Sequence, residues 1–177
     1  MKKLILLCSF LLVSLCSIAQ DELTGLKVGD VAPDFSLYNQ NDNMFKLSKA
    51  LVNGPVVVFF YRGSWCPFCN KYMKNYQDSL YLIKAKGAML VGIGPQGMGG
   101  VEKSIAKTGA TFPLLIDSEK KVCAKYKTIS KEDSFNGEAN PIPALYVIGK
   151  DGKIKYVHFP ESYEQRASIS EVLKYLD

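Results

Sequence analysis

The sequence predicts an α/β fold, a central mixed β-sheet flanked by helices on both faces. Three observations carry that expectation. Continuous apolar runs of strand length recur at VVVFFY (56–61), AMLVGIG (88–94), FPLLID (112–117) and ALYVIG (144–149), as suits strands covered on both sides. Helical patterns fall between them. The last run is followed by Lys150-Asp151-Gly152-Lys153, a hairpin signal, and then by the alternating KIKYVHF (153–159), which suits a strand nearer an edge.

The first twenty residues, MKKLILLCSFLLVSLCSIAQ, set Lys2 and Lys3 before an apolar core running from Leu4 to about Leu15, with small residues at Ser17 and Ala19. This is the layout of a cleaved export signal, too short for a comfortable membrane span. We expect a cut after Ala19, and an exported chain, periplasmic or secreted, that meets a membrane only through its signal. Lipidation at Cys16 is the alternative, disfavoured by bulky Leu15 just before it. Of 177 residues, 1–19 would be leader and 20–177 a single domain, long enough to bury a proper core.

Next, VGDVAPDFSLYNQNDNMFKLSKAL reads as two short strands and a helical turn. After the strand at 56–61, a helix from Cys66 to about Lys86 carries Met73, Tyr76, Leu80 and Ile83 at spacings of three and four and stops at Gly87. Shorter helices are expected at Val101 to Lys107, Ser118 to Tyr126 and Gln165 to Leu176, and Lys131 to Asn140 reads as a polar loop.

Removing the leader takes away Lys2, Lys3, Cys8 and Cys16, so the charge falls from +5 to +3 and three cysteines remain of five. With 20 Lys and Arg against 17 Asp and Glu and no basic block, no nucleic-acid partner is expected. Three cysteines make no disulfide framework, so they are expected to be chemical rather than architectural.

Two of them lie in Ser64-Trp65-Cys66-Pro67-Phe68-Cys69. Cys66 falls where a buried strand ends and the longest helix begins, facing unpaired backbone N–H groups and the positive end of the helix dipole, which favour thiolate over thiol. Pro67 fits the first helical turn, where its missing N–H costs nothing. A pair at this spacing can make and break a disulfide and so move two electrons. Zinc would want a second pair or nearby histidines, whereas the chain has one histidine, His158, and one further mature cysteine, Cys123. A purely structural disulfide closing so small a loop would stabilise weakly.

With GDVAPDFSL (29–37), VVVFFYRGSWCPFC (56–69), VGIGPQ (91–96), LLIDSEKKVCAKYK (114–127) and NPIPALYVIGKDGKIKYVHF (140–159), the chain resembles the thioredoxin superfamily. Within it, the likeness is to the alkyl hydroperoxide reductase / thiol-specific antioxidant group of peroxiredoxin-like proteins. The resemblance implies a thioredoxin-like fold, with Ile142-Pro143 as a cis-proline turn facing the cysteine pair. It also implies a redox-active Cys66–Cys69 pair supported by Trp65, Pro67, Arg62 and Pro143, no cofactor, and a thioredoxin-like electron donor.

Two mechanisms compete under it. In thioredoxin-like exchange, Cys66 attacks a protein disulfide and Cys69 resolves the mixed disulfide. The peroxiredoxin pattern of Pro, three residues, Thr, two residues, Cys lays Arg62 on the proline, Cys66 on the threonine and Cys69 on the cysteine that attacks hydroperoxide. The chain keeps that spacing and replaces the first two residues. The family's late-strand arginine falls on Lys155, which lacks the bidentate fork. Arg62 or Arg166 could supply a cation, although Arg166 reads as a solvated helix residue. The thioredoxin template is also broken, because its buried acid six residues before the first cysteine is here Phe60. The resemblance outside the motif favours the thiol peroxidase, with a disulfide oxidoreductase as the alternative and a non-enzymatic binding module as a remote one.

Other features read more simply. Gly92-Ile93-Gly94-Pro95-Gln96-Gly97 matches a dinucleotide-binding fingerprint with Asp117 twenty residues on. Pro95 occupies the tight turn and no room remains for a second mononucleotide half, so a plain strand-to-helix loop and no nucleotide partner are expected. Cys123 sits among apolar positions and is expected to pack in the core rather than resolve a sulfenic acid. His158 is expected to be a half-exposed strand residue, not a base.

Overall fold

A computed structural model describes residues 25–135, 137–162 and 164–176; the leader predicted for 1–19 lies outside them. The chain first forms a hairpin, β1 (Ser36–Tyr38) against β2 (Met44–Lys46), which runs directly into α1 (Leu47–Asn53). The predicted pair of short strands and helical turn is therefore present.

The central strands are β3 (Val56–Phe60), β4 (Met89–Gly94), β5 (Leu114–Ile116), β8 (Leu145–Ile148) and β9 (Ile154–His158). They lie in the order β5-β4-β3-β8-β9, parallel from β5 to β3 and antiparallel from β3 to β9, which is the predicted mixed sheet. Every residue of β3 is buried, because the sheet is covered on both sides. Its side chains alternate: Val57 and Phe59 join one core cluster, Val56, Val58 and Phe60 the other. The Asp151-Gly152 turn joins β8 to β9, with Gly152 at φ +74°.

The helices depart from expectation in instructive ways. The long helix predicted from Cys66 is two, α2 (Pro67–Asp78) and α3 (Leu80–Ala85), divided at Ser79, whose N–H turns to the carbonyls of Asn75 and Gln77. The apolar stripe continues across the break, so periodicity alone gave no sign of it. α4 (Met98–Thr108) begins three residues earlier than predicted, since Gly99 and Gly100 are poor helix formers that hid its first turn. α5 (Lys121–Lys125) and α6 (Ile169–Leu173) are shorter than predicted. Ser168 caps α6 by accepting from the Glu171 N–H, which leaves residues 165–167 outside any helix.

The predicted polar loop at 131–140 is instead a hairpin, β6 (Ile129–Phe135) with β7 (Glu138–Pro141). This ribbon forms its own two-stranded sheet apart from the core sheet, so no apolar alternation was required of it. A second correction concerns Pro143. No peptide bond among the described residues is cis, so Ile142–Pro143 is trans. The chain reverses there without isomerisation: the Ala144 N–H donates to the Ile142 carbonyl at 2.7 Å, a three-residue turn centred on Pro143 whose fixed φ suits it. The Ala144 carbonyl then accepts from the Phe60 N–H at the end of β3.

Candidate functional site

β3 ends at Phe60, and the segment 61–66 carries the chain over the end of the sheet to the first turn of α2. Gly63 lies at φ +153°, and a Cβ there would meet the Trp65 indole at 2.6 Å, so the bend needs glycine on two counts. Ser64 is held by three side chains. Gln96 accepts from its N–H at 2.7 Å and donates to its hydroxyl at 3.1 Å, while Asn70 and Lys107 both donate to its carbonyl, at 2.9 and 2.8 Å. Sequence reasoning missed these residues. The one signal for Gln96 in the sequence is its place in the glycine-rich loop, whose pattern otherwise reads as a plain connection.

Cys66 is the N-cap of α2, with extended backbone, and its sulfur accepts from the Cys69 N–H at 3.4 Å; Pro67 takes the first helical position as predicted. Both cysteines are free thiols and buried. The Cys66 thiol is pulled down to about 6, first by the hydrogen bond from the Cys69 thiol, against burial, and further by the Cys69 N–H and the charges of Arg62 and Arg166. Cys69 is pushed up because it is that donor, and burial adds to the effect. The resting pair therefore holds one negative charge and one shared proton.

Two donors from distant parts of the chain reach Cys69. The Arg62 N–H stands 3.5 Å from its sulfur, and so does Nη2 of Arg166. Arg166 is not the solvated helix residue its sequence context implied. It precedes α6, its guanidinium lies 5.5 Å over the Tyr72 ring, and its Nη1 donates to the Gln165 carbonyl at 2.6 Å. The following residue is pinned to α2, where the Tyr76 hydroxyl donates to the Ala167 carbonyl at 3.2 Å.

Arg62 is buried, with its guanidinium 4.8 Å over the Trp65 ring, so it reaches Cys69 through its backbone rather than its charge. An open cleft of about 270 Å³ borders these two side chains, lined also by Gln96, Lys120, Glu138 and Asn140. Lys155, laid on the family's arginine by sequence, is paired with Asp151 at 2.7 Å. It lines a separate cavity with Pro55, which precedes β3 at the end of the sheet remote from the cysteines.

Cys123 lies in the opposite core cluster, across the sheet from Cys66 and Cys69, fully buried, with its N–H donated to Asp117 at 2.8 Å. Burial and the adjacent Asp117 carboxylate push its thiol up. The glycine fingerprint is filled from within: a Cβ on Gly92 would meet Phe59 at 2.6 Å and one on Gly94 would meet Tyr61 at 2.4 Å. These glycines admit aromatic rings.

The model of the AhpC/TSA family matches residues 28–157. The thiol-disulfide oxidoreductase ResA of Geobacillus kaustophilus is 31% identical over 139 residues, 77% of this chain and 71% of that one. A putative peroxiredoxin bcp of Helicobacter pylori is 30% identical over 131 residues, 73% of this chain and 86% of that one. Among solved structures, peroxidoxin BcpB from Mycobacterium tuberculosis superposes with a TM-score of 0.71 at 28% identity, over 85% of this chain and 94% of that one. The peroxiredoxin 6 of Arenicola marina, at 18% identity and a TM-score of 0.75, shares the fold.

Proposed function

The chain belongs to the AhpC/TSA family and is an oxidoreductase, and on that footing we propose that it is a thiol peroxidase reducing hydroperoxides through Cys66 and Cys69. The observation that carries this reading is the convergence of the Arg62 N–H and the Arg166 guanidinium on the Cys69 sulfur. A peroxide bond breaks with negative charge growing on the departing oxygen, and fixed donors beside the attacking sulfur stabilise that charge.

Cys69 passes its proton to the Cys66 thiolate and attacks the terminal oxygen of R–O–O–H. The O–O bond breaks, the alkoxide takes the proton back from Cys66 and leaves as alcohol, and Cys69 becomes a sulfenic acid. The Cys66 thiolate then attacks the Cys69 sulfur and expels hydroxide, which is protonated to water, leaving a Cys66–Cys69 disulfide. A thioredoxin-like dithiol donor returns both thiols by exchange. Cys66, which stands at the position of the family's threonine, thus serves as both base and resolving thiol.

One observation favours a second reading, disulfide exchange with Cys66 attacking first: Cys66 caps α2 and is the group pulled down to about 6. The peroxidase predicts rapid oxidation of the reduced protein by micromolar hydroperoxide and no insulin reduction. The reverse pattern would establish the exchange enzyme. Within the peroxidase, Cys66→Ser keeps the nucleophile and loses the base, so it should form a sulfenic acid in one turnover, more slowly than wild type and with no disulfide to follow, and Cys69→Ser should form none.

Export belongs to the same proposal. Residues 1–19 supply the signal, and N-terminal sequencing of the protein purified from its own cells should find Gln20 first.

A further inference from the structure

Cys69, Tyr72 and Tyr76 follow one another along α2 at spacings of three and four, so they share one side of the helix. The segment between β9 and α6 lies against that side. Nη2 of Arg166 stands 3.5 Å from the Cys69 sulfur, its guanidinium lies 5.5 Å over the Tyr72 ring, and the Tyr76 hydroxyl donates to the Ala167 carbonyl at 3.2 Å. The helix that carries the thiol thus also meets the cation and the backbone of the residue after it.

Packing alone asks for neither tyrosine. Tyr76 is buried, with its ring 5.2 Å from that of Phe59 on β3, a contact that phenylalanine would make equally well. Its hydroxyl is a buried polar group that needs a partner, and the partner is the carbonyl beside Arg166. Tyr72 is half-buried, at a position where leucine or lysine would favour the helix more, and its ring is a surface a guanidinium can lie over. Residues 165–167 belong to no helix, so tertiary contacts must hold this long side chain on one atom.

We propose that Tyr72 and Tyr76 are positioning residues for the chemistry at Cys69. The Tyr72 ring holds the Arg166 guanidinium, and the Tyr76 hydroxyl holds the backbone from which that side chain extends, so that the cation stays on the sulfur. A loosened guanidinium leaves the charge that grows on the departing oxygen less compensated. The consequence for rate rests on the peroxidase reading, whereas the consequence for the thiols does not.

Two measurements test this, one of them without substrate. Tyr72→Leu should slow single-turnover oxidation by hydroperoxide about threefold to tenfold, the range of one cation–π contact, and Tyr72→Phe, which keeps the ring, should stay within about twofold of wild type. Tyr76→Phe, which loses one hydrogen bond, should also slow it about threefold to tenfold. In an Arg166→Gln background neither Tyr72→Leu nor Tyr76→Phe should cost anything further, since both act through the arginine. Equal losses in the two backgrounds overturn the proposal, as does a fast Tyr72→Leu protein or a Tyr72→Phe protein equally slow. Should Tyr76→Phe fail to fold, the half-buried Tyr72 series decides alone. The second measurement is thiolate absorbance of the reduced protein against pH. The Arg166 charge favours the Cys66 thiolate, so Tyr72→Leu should move the midpoint upward, no further than Arg166→Gln does, with Tyr72→Phe at the wild-type value. A midpoint unmoved by Tyr72→Leu overturns the clamp whichever enzyme the chain is. A midpoint that moves in a chain inert to hydroperoxide keeps the clamp and removes the peroxidase reading.

Discussion

Arg166 and Cys69 are 97 residues apart in sequence, and the guanidinium Nη2 of one stands 3.5 Å from the sulfur of the other. The contact joins a segment before α6 to the first turn of α2 and places a permanent cation on a thiol that its hydrogen bond to Cys66, and then burial, otherwise keep neutral. Replacing Arg166 with Gln keeps a donor and removes the charge. Oxidation by hydroperoxide should slow by about tenfold to a hundredfold, with the far-UV spectrum unchanged. Stopped-flow fluorescence of Trp65, the single tryptophan, gives the rate.

The thiol pair predicts that stability depends on pH. The hydrogen bond from the Cys69 thiol pulls Cys66 down to about 6 in the folded chain, well below the ordinary thiol value. A lowered value means that the folded state holds the thiolate more readily than the unfolded one. The stability this contributes is fully present above the unfolded value and is lost as pH falls through about 6. Thiolate absorbance should therefore show one thiolate per chain at neutral pH, with a midpoint near 6. Cys69→Ala removes the first cause of the lowering, the donated thiol hydrogen bond, and should move the midpoint upward.

Cys123 should play no part in turnover. It faces the other core cluster, so the sheet separates it from both motif cysteines. After one equivalent of peroxide, peptide mapping should find the Cys66–Cys69 disulfide in wild type and in Cys123→Ala alike. The alanine variant should lose about 1 kcal/mol of stability to the small cavity it leaves, read from the urea midpoint.

The glycine that closes β4 makes a separate prediction. Gly94 lies against the Tyr61 ring so closely that an added Cβ would stand 2.4 Å from it, and both residues are buried. Gly94→Ala should destabilise the chain by about 1–3 kcal/mol through overpacking. Nicotinamide dinucleotides should give no thermal shift with the wild-type protein.

The central sheet and the placement of Cys66 were legible because both follow from short-range patterns: continuous apolar runs, and a proline opening a helix after a buried strand. What could not be read were relations between distant residues. Arg166 looked solvated because the helix was extended back over it, when Ser168 caps that helix and releases the preceding residues toward Cys69. The hairpin at 129–141 escaped because a ribbon outside the core needs no apolar face. The break at Ser79 escaped because the buried stripe runs through it. Pro143 was placed at a turn correctly, but the resemblance supplied the wrong isomer, since the turn around it closes with a trans bond.

Gln96 offers the sharpest test of how the motif loop is held. Its side chain makes two hydrogen bonds to Ser64, one accepting from the N–H and one donating to the hydroxyl, and it touches neither sulfur. Ser64 is two residues before Cys66, whose own N–H donates to the Gly63 carbonyl at 3.1 Å, so loosening Ser64 loosens the start of α2. Gln96→Ala should cost about 1–2 kcal/mol of stability, because a buried N–H loses its acceptor. The cost should be local: amide exchange at 64–66 should accelerate while that of β3 and β4 stays near wild type. Oxidation by hydroperoxide should slow several-fold with the thiolate midpoint barely moved, since the charges and donors at the sulfurs remain. A large shift in that midpoint would instead mean that Gln96 acts on the thiols themselves.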